Sequence, residues 1–480
     1  MVAKMDALAQ SSEARFEAYV ESLAEVLGHA DRAQPFADYC TGLVLPGERK
    51  SVEPMAAIVA PSRVSSEHQS LLHFVAQAPW SDDAVLSKVR NLVLPMIEAQ
   101  GGPIEAWIVD DTGFAKKGAH SVGVARQYCG RLGKTDNCQI AVSLSIANHA
   151  ASLPVAWRLY LPQEWASDDA RRIRAHVPDE VTFKTKPQIA LEQIGAARAA
   201  GVPEGVVLAD AAYGTNSDFR EELTRMGLRY AVGVQSNVTV WPPGIEPLAA
   251  KDWSGRGRPP TRLRRDAEHK PVSVKELAMA LPAKAWKEVT WREGSNDALA
   301  SRFTALRLRP AGEDFRQTQP RDLEWLLVEW PEGEAAPTKY WLSTLPEDTP
   351  LEALVDIAKL RWRIERDYED LKGEVGLGHY EGRGWRGFHH HATLCVAAYG
   401  FLIRERAAFP PSDTQSREKH ALPNRPTPRG AADPAGATRP KLHRDAQTQA
   451  HCRPRQEASA MSLLPVNQNR RPLSSTFVTQ

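Results

Sequence analysis

Between residues 107 and 210 the spacing of apolar residues changes several times, and this succession constrains the fold most. "WIV" is a short apolar run, "CQIAVSLSIAN" and "PVAWRLYLP" alternate, "KPQIALEQIGAARAAGV" has helical spacing, and "GVVLAD" is unbroken. Alternation is typical of half-buried strands, and an unbroken apolar run is typical of a strand buried on both faces. The predicted order is therefore strand, strand, strand, helix, strand.

This order is that of a ribonuclease-H-like core, in which the first and fourth strands are neighbours. The first strand is followed by Asp110 and Asp111, and the fourth by Asp210. We therefore expect Asp111 and Asp210 to lie at neighbouring strand ends. Mg²⁺ prefers oxygen ligands, and pairs of such ions assist phosphodiester cleavage. The sequence thus predicts part of a divalent-metal site.

Patterns on either side divide the chain further. The predicted fold class is α/β, with a ribonuclease-H-like mixed sheet core, a mostly β insertion, an N-terminal helical domain and a disordered tail. The predicted segments are a helical, possibly DNA-binding domain (1–100), the first half of the core (101–228), a β-rich insertion (229–347), a helical second half of the core (348–408) and a basic, Pro-rich tail (409–480).

Two of these segments bear on DNA binding. The short amphipathic helices of residues 1–100 suit a helix-turn-helix type module and equally suit a plain cap on the core, and the sequence leaves both open. Residues 410–480 contain 11 Lys/Arg against 5 Asp/Glu and 10 Pro. Few apolar residues accompany them, so this tail cannot bury enough surface to fold alone.

Several classes are disfavoured by composition. The five cysteines form no CxxC pair, which argues against a disulfide framework or a cysteine zinc site. The apolar run "ATLCVAAYGFLI" is shorter than the ~20 residues of a spanning helix. We therefore expect a soluble, cytoplasmic protein. The phosphate-binding loop GxxxxGK[ST] does not occur, so no nucleotide cofactor is expected.

A third carboxylate is predicted on the helix within "PLEALVDIAKLRWRIERDYEDLKGEVGLG". Arg361, Glu365 and Lys372 share one stripe of this helix, beside an apolar stripe that faces the core. An acid between two bases suits a metal ligand flanked by phosphate contacts. The alternative is a solvated i,i+4 ion pair between Arg361 and Glu365, worth a few tenths of a kcal/mol.

Taken together, "VDDT", "VLAD" and "LRWRIERDYEDLK" resemble the DDE transposases of bacterial insertion sequences. The resemblance covers about residues 100–408 and is closest to a cut-and-paste group whose core is split by a β insertion. That group carries the signature Y-(2)-R-(3)-E-(6)-K. Ala358 stands where the signature has Tyr, and Tyr368 is a candidate to compensate.

The resemblance implies that Asp111, Asp210 and Glu365 are catalytic and hold two Mg²⁺ ions, with Mn²⁺ as a substitute. Asp111 is preferred to Asp110 because it directly precedes Thr112, and the sequence leaves the choice open. The implied partners are double-stranded DNA, as transposon ends and target, and a second copy in a homodimer. The implied location is the bacterial nucleoid.

Further residues are predicted to contact DNA. Arg361 and Lys372 match the signature's phosphate contacts, and Trp341 in "KYWLSTLPED" matches a residue that stacks against a flipped base; a core Trp is the alternative. Other candidate cations lie in loops: Lys116, Lys117, Arg256 and Arg258. The run His389–His391 is expected to pack rather than to bind metal, because consecutive helical residues cannot all face one ion.

The predicted function is that of a transposase that binds terminal inverted repeats and catalyses metal-dependent hydrolysis and strand transfer. Two alternatives stay open. One is another ribonuclease-H-like nuclease, such as a junction resolvase. The other is a domesticated DNA-binding protein with an inactive site.

Overall fold

The alternating and unbroken apolar runs form one large mixed sheet. The computed structural model describes residues 11–293 and 298–409. The predicted tail therefore lies outside the described residues, apart from Phe409. The strands are β1 (Ala106–Ala115), β2 (Ala125–Cys129), β3 (Lys134–Ala147), β4 (Ser152–Leu159), β5 (Val206–Ala209), β6 (Tyr230–Val234), β7 (Thr239–Trp241), β8 (Val272–Ser273), β9 (Lys287–Glu293), β10 (Ala298–Pro310), β11 (Glu324–Trp330) and β12 (Lys339–Ser343).

Helices precede the sheet, connect its strands and close the core. They are α1 (Ser12–Ala24), α2 (Ala33–Val44), α3 (Val52–Val59), α4 (Val64–Ala76), α5 (Asp82–Gly101), α6 (Gln163–Ala166), α7 (Asp169–Arg174), α8 (Lys186–Ala199), α9 (Ala211–Gly214), α10 (Ser217–Arg225), α11 (Val274–Met279), α12 (Leu351–Lys359), α13 (Trp362–Gly373) and α14 (Trp385–Ala408). In the described parts of the chain, no helix is both long enough and apolar enough to cross a membrane.

The strand order is β2-β3-β1-β5-β6-β12-β11-β10-β7-β8, with β4 paired to β3 and β9 to β10. Strand β1 runs antiparallel to β3 and parallel to β5. The predicted adjacency of the first strand and the strand ending at Ala209 is therefore confirmed. Strand β6, at the start of the predicted insertion, pairs parallel with β5, and β12 pairs antiparallel with β6. The strands of residues 229–347 therefore extend the same sheet.

Strand β1 is longer than its apolar run, which changes the position of its two acids. Strand β3 pairs with β1 from Ala106 to Ala115, so Asp110 and Asp111 lie in mid-strand rather than at its tip. Successive side chains of a strand point to opposite faces. Ala106 and Ile108 belong to a hydrophobic cluster with α13, and Asp110 shares their face. Asp111 faces the other way.

The predicted long helix after the insertion is two helices, α12 and α13. At their junction the amides of Arg363 and Ile364 donate to the carbonyls of Leu360 and Arg361, three residues back, at 3.1 and 3.2 Å. This tighter bonding is the 3₁₀ pattern that often marks a change in a helix. Leu360 and Ile364 stay buried against Ile108 of β1 and Leu208 of β5, so the break redirects the helix without losing its apolar contact.

Helix α14 ties the N-terminal helices to the sheet through three consecutive buried histidines. His389 accepts from the amide of Leu159 at 3.2 Å, and His390 contacts the carbonyl of Val75 at 3.1 Å. His391 contacts the Tyr39 hydroxyl at 2.9 Å. Each imidazole therefore reaches a different element, which agrees with the expected packing role.

His391 should make the fold sensitive to acid. Its Nε2 lies 3.2 Å from the Gly376 carbonyl, which can only accept, so the neutral ring donates there and accepts from Tyr39. Burial lowers the pKa of His391 to about 4. Because this pKa lies below the usual 6.5, its contribution to stability is lost as pH falls from 6.5 toward 4.

We expect His391→Gln to remove about 2–3 kcal/mol of the stability difference between pH 7 and 4.5. Urea unfolding of the wild type and the variant at both pH values measures it. An unchanged difference in the variant would show that His391 does not titrate as the geometry implies.

Candidate active site

Arg361 joins two of the acidic side chains. Its Nη1 lies 2.8 Å from Asp110 Oδ2, and its Nη2 lies 2.8 Å from Glu365 Oε1. The Asp110 side chain is 16% exposed and that of Glu365 is 65% exposed. The guanidinium therefore lies between a nearly buried carboxylate of β1 and an open carboxylate of α13.

Asp210 approaches the same place from β5. The parallel register pairs Ile108 with Leu208, and Asp210 follows directly after β5. Asp210 lines one cavity with Arg361, the ion-pair partner of Asp110. Asp210 caps α9, accepting from the Ala212 amide at 2.9 Å. Burial raises the pKa of Asp110 to about 7; Arg361 opposes this shift, and the charges of Asp210 and Asp111 add to it. The acids are thus close enough to repel one another.

Asp111 has a separate environment on the other face of β1. Its Oδ2 lies 2.8 Å from Lys186 Nζ at the start of α8. It also accepts from the Tyr213 hydroxyl at 3.2 Å. The structure therefore brings Asp110, Asp210, Glu365 and Arg361 together and places Asp111 in an ion pair behind them.

Helix α13 is held on both sides. Toward β1, Lys372 donates to the Thr112 hydroxyl at 2.5 Å, and the Tyr368 hydroxyl lies 2.7 Å from that of Ser143. On the far side, Ser152 and Tyr399 both donate to buried Asp367, at 2.5 and 3.0 Å. Sequence reasoning missed Asp367. Its only signal was a carboxylate at an apolar position of the helix, two residues after Glu365.

A cavity of about 460 Å³ opens in front of Asp210 and Glu365, and Asp110 is not among its lining residues. Its lining includes Asp210, Glu365, Arg361 and Trp341, and we call it the acid cavity. Trp341 is 7% exposed and packs with Phe303. It is therefore both a core residue and part of the cavity wall, so the two interpretations of this Trp are compatible.

Lys359, which also lines the acid cavity, forms a buried ion pair with Glu329. The Nζ–Oε2 distance is 2.7 Å, and the side chains are 13% and 5% exposed. Nζ also lies 4.1 Å from the ring centre of Trp291. Burial lowers the pKa of Lys359, and Glu329 opposes that shift.

We expect Lys359→Met to destabilise the protein by about 3–5 kcal/mol, because it leaves Glu329 buried without a partner. The double variant Lys359→Met, Glu329→Leu should recover most of this loss. Denaturant unfolding of both variants measures the effect. Equal destabilisation in the single and double variants would mean that cavity packing, rather than the unpaired charge, causes it.

The predicted loop cations lie apart from the acid cavity. Lys116 donates to the Tyr380 carbonyl at 2.8 Å, and Lys117 is exposed beside it. Arg256 and Arg258 lie in an exposed loop between β7 and β8. None of these four side chains is among the residues that line the acid cavity.

A tighter group of potential ligands occurs elsewhere. In residues 11–293 and 298–409, Glu105, His149 and Asp356 are the one set of three whose ligand atoms all lie within 4.8 Å of one another. His149 Nε2 lies 2.9 Å from Asp356 Oδ2 and 3.4 Å from Glu105 Oε2, so direct contacts between the side chains account for the group. Asp110, Asp210 and Glu365 do not form such a group within these ranges.

The sequence matches a family model described as DDE superfamily endonuclease over residues 22–298, which is more than half of the chain. The chain belongs to the DDE superfamily endonucleases. The matched range contains Asp110, Asp111 and Asp210 and ends before α13. The family match therefore does not reach Glu365.

This DDE endonuclease is also similar to individual proteins. It is 34% identical over 193 residues to the "Probable transposase for insertion sequence element IS701" of Microchaete diplosiphon. That match covers 40% of this chain and spans about half, 46%, of the relative. A piggyBac transposase synaptic complex with hairpin DNA aligns with 82% of this chain and 77% of its own, at 11% identity and a TM-score of 0.31.

Proposed function

We propose that this protein is the transposase of an insertion sequence, which binds terminal inverted repeats and cuts and joins DNA. One observation carries the proposal: Arg361 bonds both Asp110 and Glu365, and Asp210 lines the same cavity as Arg361 and Glu365. The strand order β4-β3-β1-β5-β6 supports a ribonuclease-H-like core. The similarity to an insertion-sequence transposase supports the substrate.

Asp110 is our choice for the first acid. Asp110 shares its ion-pair partner, Arg361, with Glu365, and Asp210 lines the same cavity as that arginine, whereas Asp111 pairs with Lys186. The preference for Asp111 came from its position before Thr112 and stays a prediction. Alternation along β1 puts Asp110 and Asp111 on opposite faces of the sheet, and the contacts with Arg361 are on the face of Asp110.

The donor set fits a hard divalent cation. Asp210 and Glu365 line the acid cavity together with Arg361, the ion-pair partner of Asp110. Burial raises the pKa of Asp110, and the nearby charge of Asp210 adds to that shift. Asp110, Asp210 and Glu365 would hold Mg²⁺, or Mn²⁺ in its place. Such a cation would polarise the phosphodiester and activate water or a 3′-hydroxyl.

The protein's own groups would position the DNA. Arg361 is a rigid fork suited to a phosphate as well as to a carboxylate, so its two bonds to Asp110 and Glu365 can be exchanged for phosphate contacts. Lys372 of α13 contacts Thr112, which lies two residues after Asp110 in β1. It would hold a neighbouring phosphate. Trp341 offers an aromatic wall to an unpaired base, a contact worth about 1–3 kcal/mol.

The N-terminal helices are proposed to cap the core rather than to grip DNA. Residues 11–101 contain 12 Asp/Glu against 7 Lys/Arg, and a surplus of acid repels phosphates. Their attachment to α14 through buried histidines also suits a cap. A homodimer that holds two DNA ends, with no nucleotide cofactor, completes the proposal.

The test is cleavage and joining of a DNA carrying the element's own ends, with Mg²⁺ or Mn²⁺ and after chelation. A transposase will nick at the end of the repeat and join the freed 3′-hydroxyl to a second DNA molecule. Cleavage without joining would favour another ribonuclease-H-like nuclease. Binding without either reaction would favour an inactive DNA-binding protein.

A further inference from the structure

A second polar surface lies beyond the end of β1. Two cavities of about 380 and 490 Å³ share His379, Tyr380, Glu381 and Arg383 as lining residues. We call the two together the basic groove. Its charged lining combines six cations with two acids: Arg49, Lys50, Lys116, Lys117, Arg174 and Arg383 with Glu53 and Glu381.

Half of these cations are already engaged within the protein. Arg49 pairs with Glu381, Lys50 donates to the Leu43 carbonyl, and Lys116 donates to the Tyr380 carbonyl. The side chains of Lys117, Arg174 and Arg383 are exposed, and in the described residues none of the three has an ion-pair or hydrogen-bond partner. The lining carries six cations against two acids, a formal surplus of four positive charges, and Lys117, Arg174 and Arg383 are the cations whose side chains can turn to a ligand.

The framework that carries these charges is fixed. The Tyr380 ring stacks on His391 with centroids 5.4 Å apart. A side chain at Gly382 or Gly387 would collide with the Tyr380 hydroxyl, which fills the space beside both glycines. The Val122 amide donates to the Arg383 carbonyl at 3.0 Å. Arg383 is thus held to the loop that leaves β1, which also carries Lys117.

The position of the groove relative to the acids suggests its ligand. Lys116 follows Asp110 by six residues, which is about 20 Å along a strand. Lys372 contacts Thr112 and Gly113 between them. Duplex DNA rises about 3.4 Å per base pair, so 20 Å corresponds to about six base pairs.

We propose that the basic groove binds the backbone phosphates of duplex DNA, about six base pairs from the phosphodiester held at the acid cavity. This proposal rests on the proposed function, because it takes DNA as the substrate. Its ligand is the sugar–phosphate backbone, because contacts of Lys and Arg side chains with phosphates do not depend on the base sequence.

The experiment compares Lys117→Gln, Arg174→Gln, Arg383→Gln with a control that removes as much charge elsewhere. The control is Lys88→Gln, Arg198→Gln, Arg225→Gln, whose three cations pair with acids on other surfaces. Fluorescence anisotropy with a duplex of about 30 base pairs measures Kd at several salt concentrations from about 50 to about 200 mM.

We expect the groove variant to raise Kd about tenfold or more and to reduce the salt slope by about two to three, one per lost phosphate contact. The control should keep the wild-type slope. Ethylation interference should show phosphates about six base pairs from the cut that lose their effect in the groove variant.

Two failures are distinguishable. If the groove variant keeps the wild-type Kd and salt slope, the basic groove does not bind DNA. Cleavage by the wild type would in that case still support a transposase. If the salt slope changes as expected but the wild type shows no metal-dependent cleavage, DNA binding by the basic groove is supported and the proposed transposase function is contradicted.

Discussion

Replacing Asp110 with Asn should lower cleavage at least about 10³-fold, whereas Asp111→Asn should lower it less than about tenfold. Asp110 shares its guanidinium partner, Arg361, with Glu365, and Asp210 lines the same cavity as that arginine. Losing a ligand removes several kcal/mol of charge stabilisation, and each 1.36 kcal/mol is tenfold in rate. Asp111→Asn weakens a partly exposed ion pair with Lys186, worth about 1 kcal/mol or less.

Cleavage of the element's ends under single-turnover conditions measures both variants. In Asp110→Asn the new amide oxygen can still accept from Arg361, and the lost charge no longer repels Asp210. This variant should therefore melt no lower than the wild type without metal. A large loss in Asp111→Asn together with an active Asp110→Asn would contradict our choice and restore the assignment based on Thr112.

Glu365→Gln should abolish nicking and strand transfer, again by at least about 10³-fold, while end binding persists. The Glu365 side chain is 65% exposed and its contact with Arg361 is at the cavity edge, so its replacement should not disturb the core. Binding should hold because Arg361, Lys372 and the basic groove retain their charges.

Glu369→Gln is the matched control. Glu369 is an exposed acid one turn further along α13, paired with Arg366, and its loss should leave cleavage unchanged. Retained cleavage in Glu365→Gln would remove α13 from the site. Loss of end binding in that variant would mean that Glu365 is needed for DNA binding and not specifically for catalysis.

Much of this arrangement could be predicted from local patterns. Strands β3, β4 and β5 follow from alternating or unbroken apolar runs, and the neighbouring positions of β1 and β5 follow from their order. Asp210 and Glu365 were found because each stands beside an apolar run that fixes its place. These signals are local, so they survive without knowledge of the fold.

Other features depend on contacts between distant segments. The length of β1 is set by its pairing with β3, and this pairing puts Asp110 and Asp111 in mid-strand, where alternation decides between them. The break between α12 and α13 is not marked by a Gly or Pro in the sequence, so it could not be predicted. Arg361 was predicted either to hold phosphate or to pair with Glu365 at i,i+4, and the structure shows that pair. Its second bond, to Asp110 of β1, could not be read from spacing within one helix.

The most direct test is the position of bound metal. Crystals of the full chain soaked in Mn²⁺ should give an anomalous-scattering peak bounded by the carboxylates of Asp110, Asp210 and Glu365, with Arg361 moved away from Glu365. A peak at Glu105, His149 and Asp356, with none beside Asp110, would contradict the site proposed here.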